Sequence, residues 1–265
     1  MNEHQYIINS GKSGAERLKV LFETLLPGTR ELFIKADINK AGKILDMGCG
    51  GGDISEEIAN INNSAEIDAF DFDSNIIEIA KEKLKFKQNV NVDIKDISSD
   101  EIGTEKYDII ISRFLLSHLT SPDNALSKFK NALKDGGKII IEDVDFDGHF
   151  CYPDCNSFKK YVEFYTHASL KRGMDPFIGR KLLYLMNKAG FTDIEMQIAN
   201  PAFNTGKGKL MGILTLRNIA PTVLADKLVT EKEFAEIIFE LEKFTESSDS
   251  LLSLPRIFRM IGYKR

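Results

Sequence analysis

A chain of 265 residues, 43% hydrophobic and 28% charged, can bury a substantial core, and its composition is too ordinary for a disordered segment or a coiled coil. Its net charge of −5 argues against affinity gained by neutralising phosphates, so a small-molecule partner is expected and nucleic acid is not. The amino-terminal MNEHQYIINSGKSG lacks a secretory core, no apolar run nears the roughly 20 residues of a membrane span, and Cys49, Cys151 and Cys155 make no disulfide framework; a cytoplasmic protein without membrane contact is expected.

From Gly14 to Lys40 two amphipathic helical stretches are predicted, one carrying Leu18, Leu21, Phe22 and Leu25, the other Leu32, Phe33 and Ile34 after a break at Pro27-Gly28. His4, Gln5, Tyr6 and Arg17 in this region are candidate cofactor or substrate contacts, with solvent exposure or capping as the plainer alternative.

Lys43 to Ser55, KILDMGCGGGDIS, reads as a strand, a glycine turn and a helix start. Glycine suits a turn where a ligand must reach bare backbone, and amides at the helix start favour a ligand's negative groups. A dinucleotide fingerprint would place its third glycine at position 53, where this chain has Asp53. The pattern is D-x-G-x-G-x-G instead, and at these residues the chain resembles the class I S-adenosylmethionine (SAM)-dependent methyltransferases. The resemblance implies SAM as cofactor and S-adenosylhomocysteine as product, with Asp46, Gly48, Cys49 and Gly50 around the methionine moiety, followed by Gly52.

Ile54, Ile58 and Ile61 mark the apolar face of the next helix, and Glu66 to Phe70 a second strand ending at Asp71. A carboxylate there, about 20 residues beyond the glycines, can accept hydrogen bonds from both ribose hydroxyls; the family places its ribose-binding acid at this position, with Phe72 beside it. Asp73 is placed to cap the helix carrying Ile76, Ile77, Ala80 and Leu84. After a third strand, Val90 to Ile94, the family has an acid near the adenine amino group and an amide facing the ring, which here fall on Asp96 and Ile97.

The run Tyr107 to Ser112 is apolar enough for a strand buried on both faces. Methyltransferases acting on adenine or glutamine amide nitrogens carry Asn or Asp, Pro, Pro and an aromatic next; this chain has SRFLLSHL and resembles the small-molecule branch that includes quinone, sterol and tocopherol methyltransferases. Arg113 is expected at the SAM end of the strand. His118 is either a base or a packed or capping histidine before the next helix, Ser121 to Lys134, with Leu126, Phe129 and Leu133 inward.

Lys138 to Val144 is the fifth strand, Asp175-Pro176 begin a helix bearing Ile178, Leu182, Leu185, Met186 and Ala189, and Thr192 to Ala199 is the sixth strand. Strands alternating with helices predict an α/β, doubly wound sheet, and the resemblance implies that it is seven-stranded, mostly parallel and Rossmann-like, with helices on both faces. The resemblance supplies the order 3-2-1-4-5-7-6, the last strand, around Ile257 to Tyr263, being antiparallel. A single domain, 1–265, is expected: amino-terminal helices at 1–40, a SAM-binding core at 43–144, a cap insertion at 145–173, core again at 174–200, a helical insertion at 206–250 and the last strand at 255–265.

The first insertion holds Phe146, Phe150, Tyr152, Phe158, Tyr161, Phe164 and Tyr165, either a wall for an apolar substrate or ordinary packing. Phe150, Tyr152, Tyr161 and Tyr165, with Tyr6, are the candidate substrate contacts. In the second, Thr230 and Glu233 form a capping box ahead of the stripe Phe234, Ile237, Ile238, Leu241 and Phe244, read as a lid, a dimer contact or plain packing; a monomer or homodimer is expected.

SAM arrives already activated, so alignment of an acceptor is the chief catalytic task, and a base is needed only where the acceptor must lose a proton. His118 and His149 are the leading base candidates, ahead of Glu142, Asp143, Asp145 and His167. His149, Cys151 and Cys155 lack a fourth ligand at a familiar spacing, so no metal is expected. An active small-molecule methyltransferase, an oxidoreductase with an atypical loop, and a SAM-binding regulatory or partner subunit without transferase activity all remain open.

Overall fold

The structure, a computed structural model, describes residues 12–265; the candidates His4, Gln5 and Tyr6 lie outside the described residues. The central sheet forms from β1 (Lys43–Met47), β2 (Glu66–Asp71), β3 (Val90–Ile94), β4 (Tyr107–Arg113), β5 (Leu133–Asp145), β7 (Thr192–Ala199) and β10 (Arg256–Tyr263), in the order β3-β2-β1-β4-β5-β10-β7. β1 to β5 run parallel, and β10 lies antiparallel between β5 and β7, with Ile257 opposite Val144 and Ala199. This is the predicted seven-stranded sheet in the predicted order.

Alternation along the strands divides the core. Ile44, Ile67, Ile109 and Ile140 face α1 (Lys12–Lys35) and α2 (Asp53–Ile61), and Ala69, two residues beyond Ile67, meets Ile77 of α3 (Ser74–Leu84). Leu45, Ile110, Ile139 and Met260 face the other way, onto α4 (Pro122–Ala132) and α6 (Leu182–Lys188). With both faces covered, the central strands carry near-continuous apolar runs. The chain winds in opposite directions from β1 and β4, which leaves a crevice at their carboxyl ends.

Several boundaries differ from expectation. α1 is one helix that runs through Pro27 rather than two. Gly28 fits the continuous helix because a Cβ there would meet the Arg259 guanidinium, so the bare backbone packs directly on that side chain, and burial of Leu25, Leu32 and Phe33 outweighs the weak local propensity. α4 ends at Ala132, and Leu133 is buried as the first residue of β5. Asp175-Pro176 form a turn before a 3₁₀ turn at Ile178–Lys181, and Ile61 is exposed where Ile54 and Ile58 are buried.

A second, three-stranded antiparallel sheet has no counterpart in the sequence reading: β6 (Cys151–Tyr152), β9 (Leu251–Ser253) and β8 (Ala202–Phe203), in the order β6-β9-β8. It ties both insertions together. Their helices, α5 (Asn156–Lys171), α7 (Met211–Ala225) and α8 (Glu231–Glu246), share one apolar cluster with Leu21 and Leu25 of α1. The capping box at Thr230 and Glu233 is present, and its stripe is packed inward, with Phe234 and Leu241 buried and Ile237, Ile238 and Phe244 against the same cluster. Among the described residues no helix is long and apolar enough to cross a membrane.

Candidate active site

The turn after β1 is built by glycines in the left-handed region, Gly48, Gly50 and Gly52 at φ 80°, 53° and 81°. The amides of Gly48 and Cys49 donate to the Phe70 carbonyl at 2.8 and 3.0 Å, which locks the turn to the end of β2. Asp71 closes the same corner: one carboxylate oxygen accepts from the Gly50 amide at 3.0 Å, the other from the Asp73 amide at 3.1 Å. Burial pushes the Asp71 carboxyl above its ordinary range, against the pull of those two amides. Asp73 caps α3, its side chain accepting from the Asn75 amide at 2.8 Å.

Asp46 accepts from the Ser55 hydroxyl at 2.5 Å and is pushed up to about 6 by burial, opposed by Ser55 and by the nearby charge of Arg113. Arg113, at the carboxyl end of β4, donates through Nε to Glu142 at 2.8 Å. Glu142 is held on its other sides by the Thr29 hydroxyl at 2.6 Å and Arg259 Nε at 2.9 Å. Among the described residues Arg113 Nη2 is buried without a hydrogen-bond partner. A ligand carboxylate would satisfy it, and the amino-acid end of SAM carries one, so the donor set fits that cofactor.

One pocket is lined by this corner and by the roof above it. Phe72, Asp96 and Ile97 line it with Asp46, the glycine turn and Asp71, so all nine sequence-predicted cofactor positions, Arg113 included, border one space. Across from them stand Phe146 and Tyr165, stacked with centroids 4.0 Å apart and planes 5° apart, and then Tyr161. His118 lines it too, buried on a 3₁₀ turn after β4, where burial and then the charge of Arg17 push its imidazole down to about 4.

Other predicted residues fall elsewhere. Phe150 and Tyr152 are exposed and do not line the pocket, because pairing of β6 with β9 holds that stretch at the surface. His149 sits behind the wall: its ring packs on Phe146 at 4.7 Å and Tyr161 at 5.6 Å, Nδ1 lies 2.9 Å from the Phe146 carbonyl, and burial pushes it down to about 4. Asp145 is ion-paired with Arg180 and Arg256, Asp143 accepts from the Ser117 and Val144 amides, and His167 is exposed. Among the described residues no three His, Cys, Asp or Glu side chains converge as a metal site.

The sequence reading missed Met211 and Thr215 of α7 and the Leu254-Pro255 corner, all of which line the pocket. It named Arg17 without its setting, although Gly14, Arg17, Leu18 and Leu21, all lining, repeat at helical spacing.

The family described as "Methyltransferase domain" matches residues 38–200. The chain belongs to that family. Over 123 residues it is 30% identical to a ubiquinone biosynthesis O-methyltransferase of Coxiella burnetii, a match that covers 46% of this chain and 52% of that one, so the chain spans about half the length of the curated relatives it matches. Among solved structures, phosphoethanolamine N-methyltransferase 2 of Haemonchus contortus, in complex with phosphomonomethylethanolamine and S-adenosylhomocysteine, superposes with a TM-score of 0.60 at 17% identity, covering 100% of this chain and 60% of that one. The [4+2]-cyclase SpnF superposes at 0.52 and 14% identity, covering 97% and 86%. Likeness at that identity establishes the fold, a Rossmann-like methyltransferase fold, and leaves activity to the site.

Proposed function

We propose that this protein is an enzyme that transfers a methyl group from SAM to a small-molecule acceptor, releasing S-adenosylhomocysteine. The observation that carries the reading is one corner of the pocket. There a left-handed glycine turn is locked to the end of β2 beside Asp71, opposite a buried guanidinium nitrogen with no partner. Family membership and the missing third glycine of a dinucleotide loop, with Asp53 in its place, support the same reading over an oxidoreductase.

The bound cofactor would supply a methyl group already activated on a sulfonium. The chain's part is to bind and orient it. Asp71 keeps lone pairs beyond those used by Gly50 and Asp73 with which to accept from ribose hydroxyls. Asp96, Ile97 and Phe72 border the adenine end, Arg113 Nη2 takes the carboxylate, and Asp46, Gly48, Cys49 and Gly50 shape the wall around the methionine chain.

Phe146, Tyr161 and Tyr165 then hold the acceptor over the strand ends, and alignment does most of the work. His118, which borders the pocket and is kept neutral at pH 7 by burial and the charge of Arg17, is the base candidate on this side of the site. A base that weak suits an acceptor with an acidic proton or one that needs none. Residues 43–144 and 174–200 act in this reading as the cofactor core, with 145–173 and 206–250 as the roof of a single cytoplasmic domain. Its partner is a small molecule rather than nucleic acid.

Calorimetry tests the assignment. S-adenosylhomocysteine should bind and NAD should not; Gly50→Val should abolish binding while the far-ultraviolet circular dichroism of the fold is kept. At φ 53° a side chain is strained, and its Cβ would stand 3.2 Å from Leu18 Cδ1. Tight binding by a folded Gly50→Val protein would show that the turn is not the site. Methyl transfer from labelled SAM across an acceptor panel separates an enzyme from a binding subunit.

A further inference from the structure

Arg17 is buried, at 8% exposure, yet among the described residues no carboxylate pairs with it. Its one hydrogen bond among those residues goes from Nε to the Thr215 hydroxyl at 2.9 Å. A buried arginine is ordinarily paired, because a desolvated charge facing only neutral groups is costly. Here the guanidinium borders the pocket together with Thr215, Tyr161 and His118, and its charge is felt by both of those rings.

We propose that Arg17 is the anchor for an anionic group on the methyl acceptor, a carboxylate or a phosphate. The acceptor is then amphipathic, with its charged end on Arg17 and an apolar or aromatic body along the Phe146–Tyr165 stack. The proposal rests on the methyl-transfer reading and deepens it.

Two observations separate this anchor from the cofactor's own carboxylate. Arg113 already presents a buried unpartnered nitrogen beside Asp46 and the glycine turn, and it supplies that contact. Arg17, by contrast, is held by the roof, through Thr215 on α7, with Tyr161 of α5 near it. A guanidinium presents parallel N–H donors that match two oxygens of a carboxylate or phosphate, and the Thr215 and Tyr161 hydroxyls are further groups on that side of the pocket.

The test uses the full chain saturated with S-adenosylhomocysteine, titrated calorimetrically with benzoate, phenyl phosphate and the neutral benzamide. At least one anion should bind about tenfold or more tightly than benzamide, a difference of about 1.4 kcal/mol; whichever anion wins names the acceptor's charged group. Arg17→Met should erase that preference and leave affinity for S-adenosylhomocysteine within about twofold. Arg17→Lys, which keeps a charge but loses the fork, should retain part of it and serves if the first variant does not fold.

Benzamide binding as well as both anions, or no measurable anion binding, overturns the proposal. So does an Arg17→Met protein that loses about tenfold or more in S-adenosylhomocysteine affinity while keeping its anion preference, since Arg17 would then serve the cofactor. Failure of the wild type to bind S-adenosylhomocysteine at all would instead remove the methyl-transfer reading, and this proposal with it.

Discussion

Two neighbouring carboxylates at the end of β2 have different work. Both border the pocket, but Asp71 braces the glycine turn, whereas the side chain of Asp73 is taken up by the Asn75 amide at the start of α3. Asp71→Ala should therefore weaken S-adenosylhomocysteine binding more than Asp73→Ala does. The latter should cost about 0.5–2 kcal/mol of stability as a lost cap. Affinities and urea midpoints of both variants check this, and an inverted pattern would mean the roles are exchanged. His149 makes a different prediction. Its pKa falls on folding, from 6.5 to about 4 through burial, so the unfolded chain binds more protons between those values. Stability from this group is present above pH 6.5 and lost as pH falls toward 4. His149→Leu should remove that dependence, narrowing the difference in unfolding free energy between pH 7 and pH 5 by about 2 kcal/mol. An unchanged difference would show that the ring is not desolvated behind Phe146.

At the scale of elements, what was legible in the sequence was local. The glycine turn, the Asp73 cap and the Thr230–Glu233 box are each specified by a few consecutive residues, and each forms where those residues predict. The continuity of α1 was not legible, because Pro27-Gly28 reads as a break until Arg259, more than 200 residues away, is seen to occupy the space beside Gly28. The same holds for Phe150 and Tyr152: as aromatics in a cap they resemble wall residues, and only the pairing of β6 with the distant β9 turns that stretch to the surface. The setting of Arg17 depended on α7 in the same way. Gly28 gives the test. Gly28→Ala should displace the Arg259 guanidinium, loosen its bond to Glu142 and destabilise the fold by about 1–3 kcal/mol, as overpacking does. Read by thermal unfolding, a neutral or stabilising outcome, the usual result of Gly→Ala inside a helix, would show that the side chain moves aside freely.

For the whole molecule, the question is whether the roof is a separate body resting on the sheet or part of one cooperative structure. Leu21 and Leu25 of α1, Phe146 after β5, Leu254 and Ile257 at the start of β10, and the inward faces of α5, α7 and α8 belong to a single apolar cluster. Polar contacts cross the same seams: Arg172 with Asp226 joins the end of α5 to the end of α7, and Ser157 with Glu240 joins α5 to α8. Since α1 and β10 also contribute to the core beneath the sheet, through Leu32, Phe33 and Ile261, the roof cannot melt without exposing apolar surface on elements that the sheet needs. Leu216, fully buried on α7, is the probe. Leu216→Ala should lower stability by about 2–5 kcal/mol, the cost of a core truncation. Far-ultraviolet circular dichroism and tyrosine fluorescence, to which Tyr161 and Tyr165 of the roof contribute beside Tyr107 and Tyr263 of the sheet, should still give coincident transitions. A first step that changes only part of either signal, followed by a second as the sheet melts, would make the roof an independent unit able to open over the pocket while the cofactor corner stays folded.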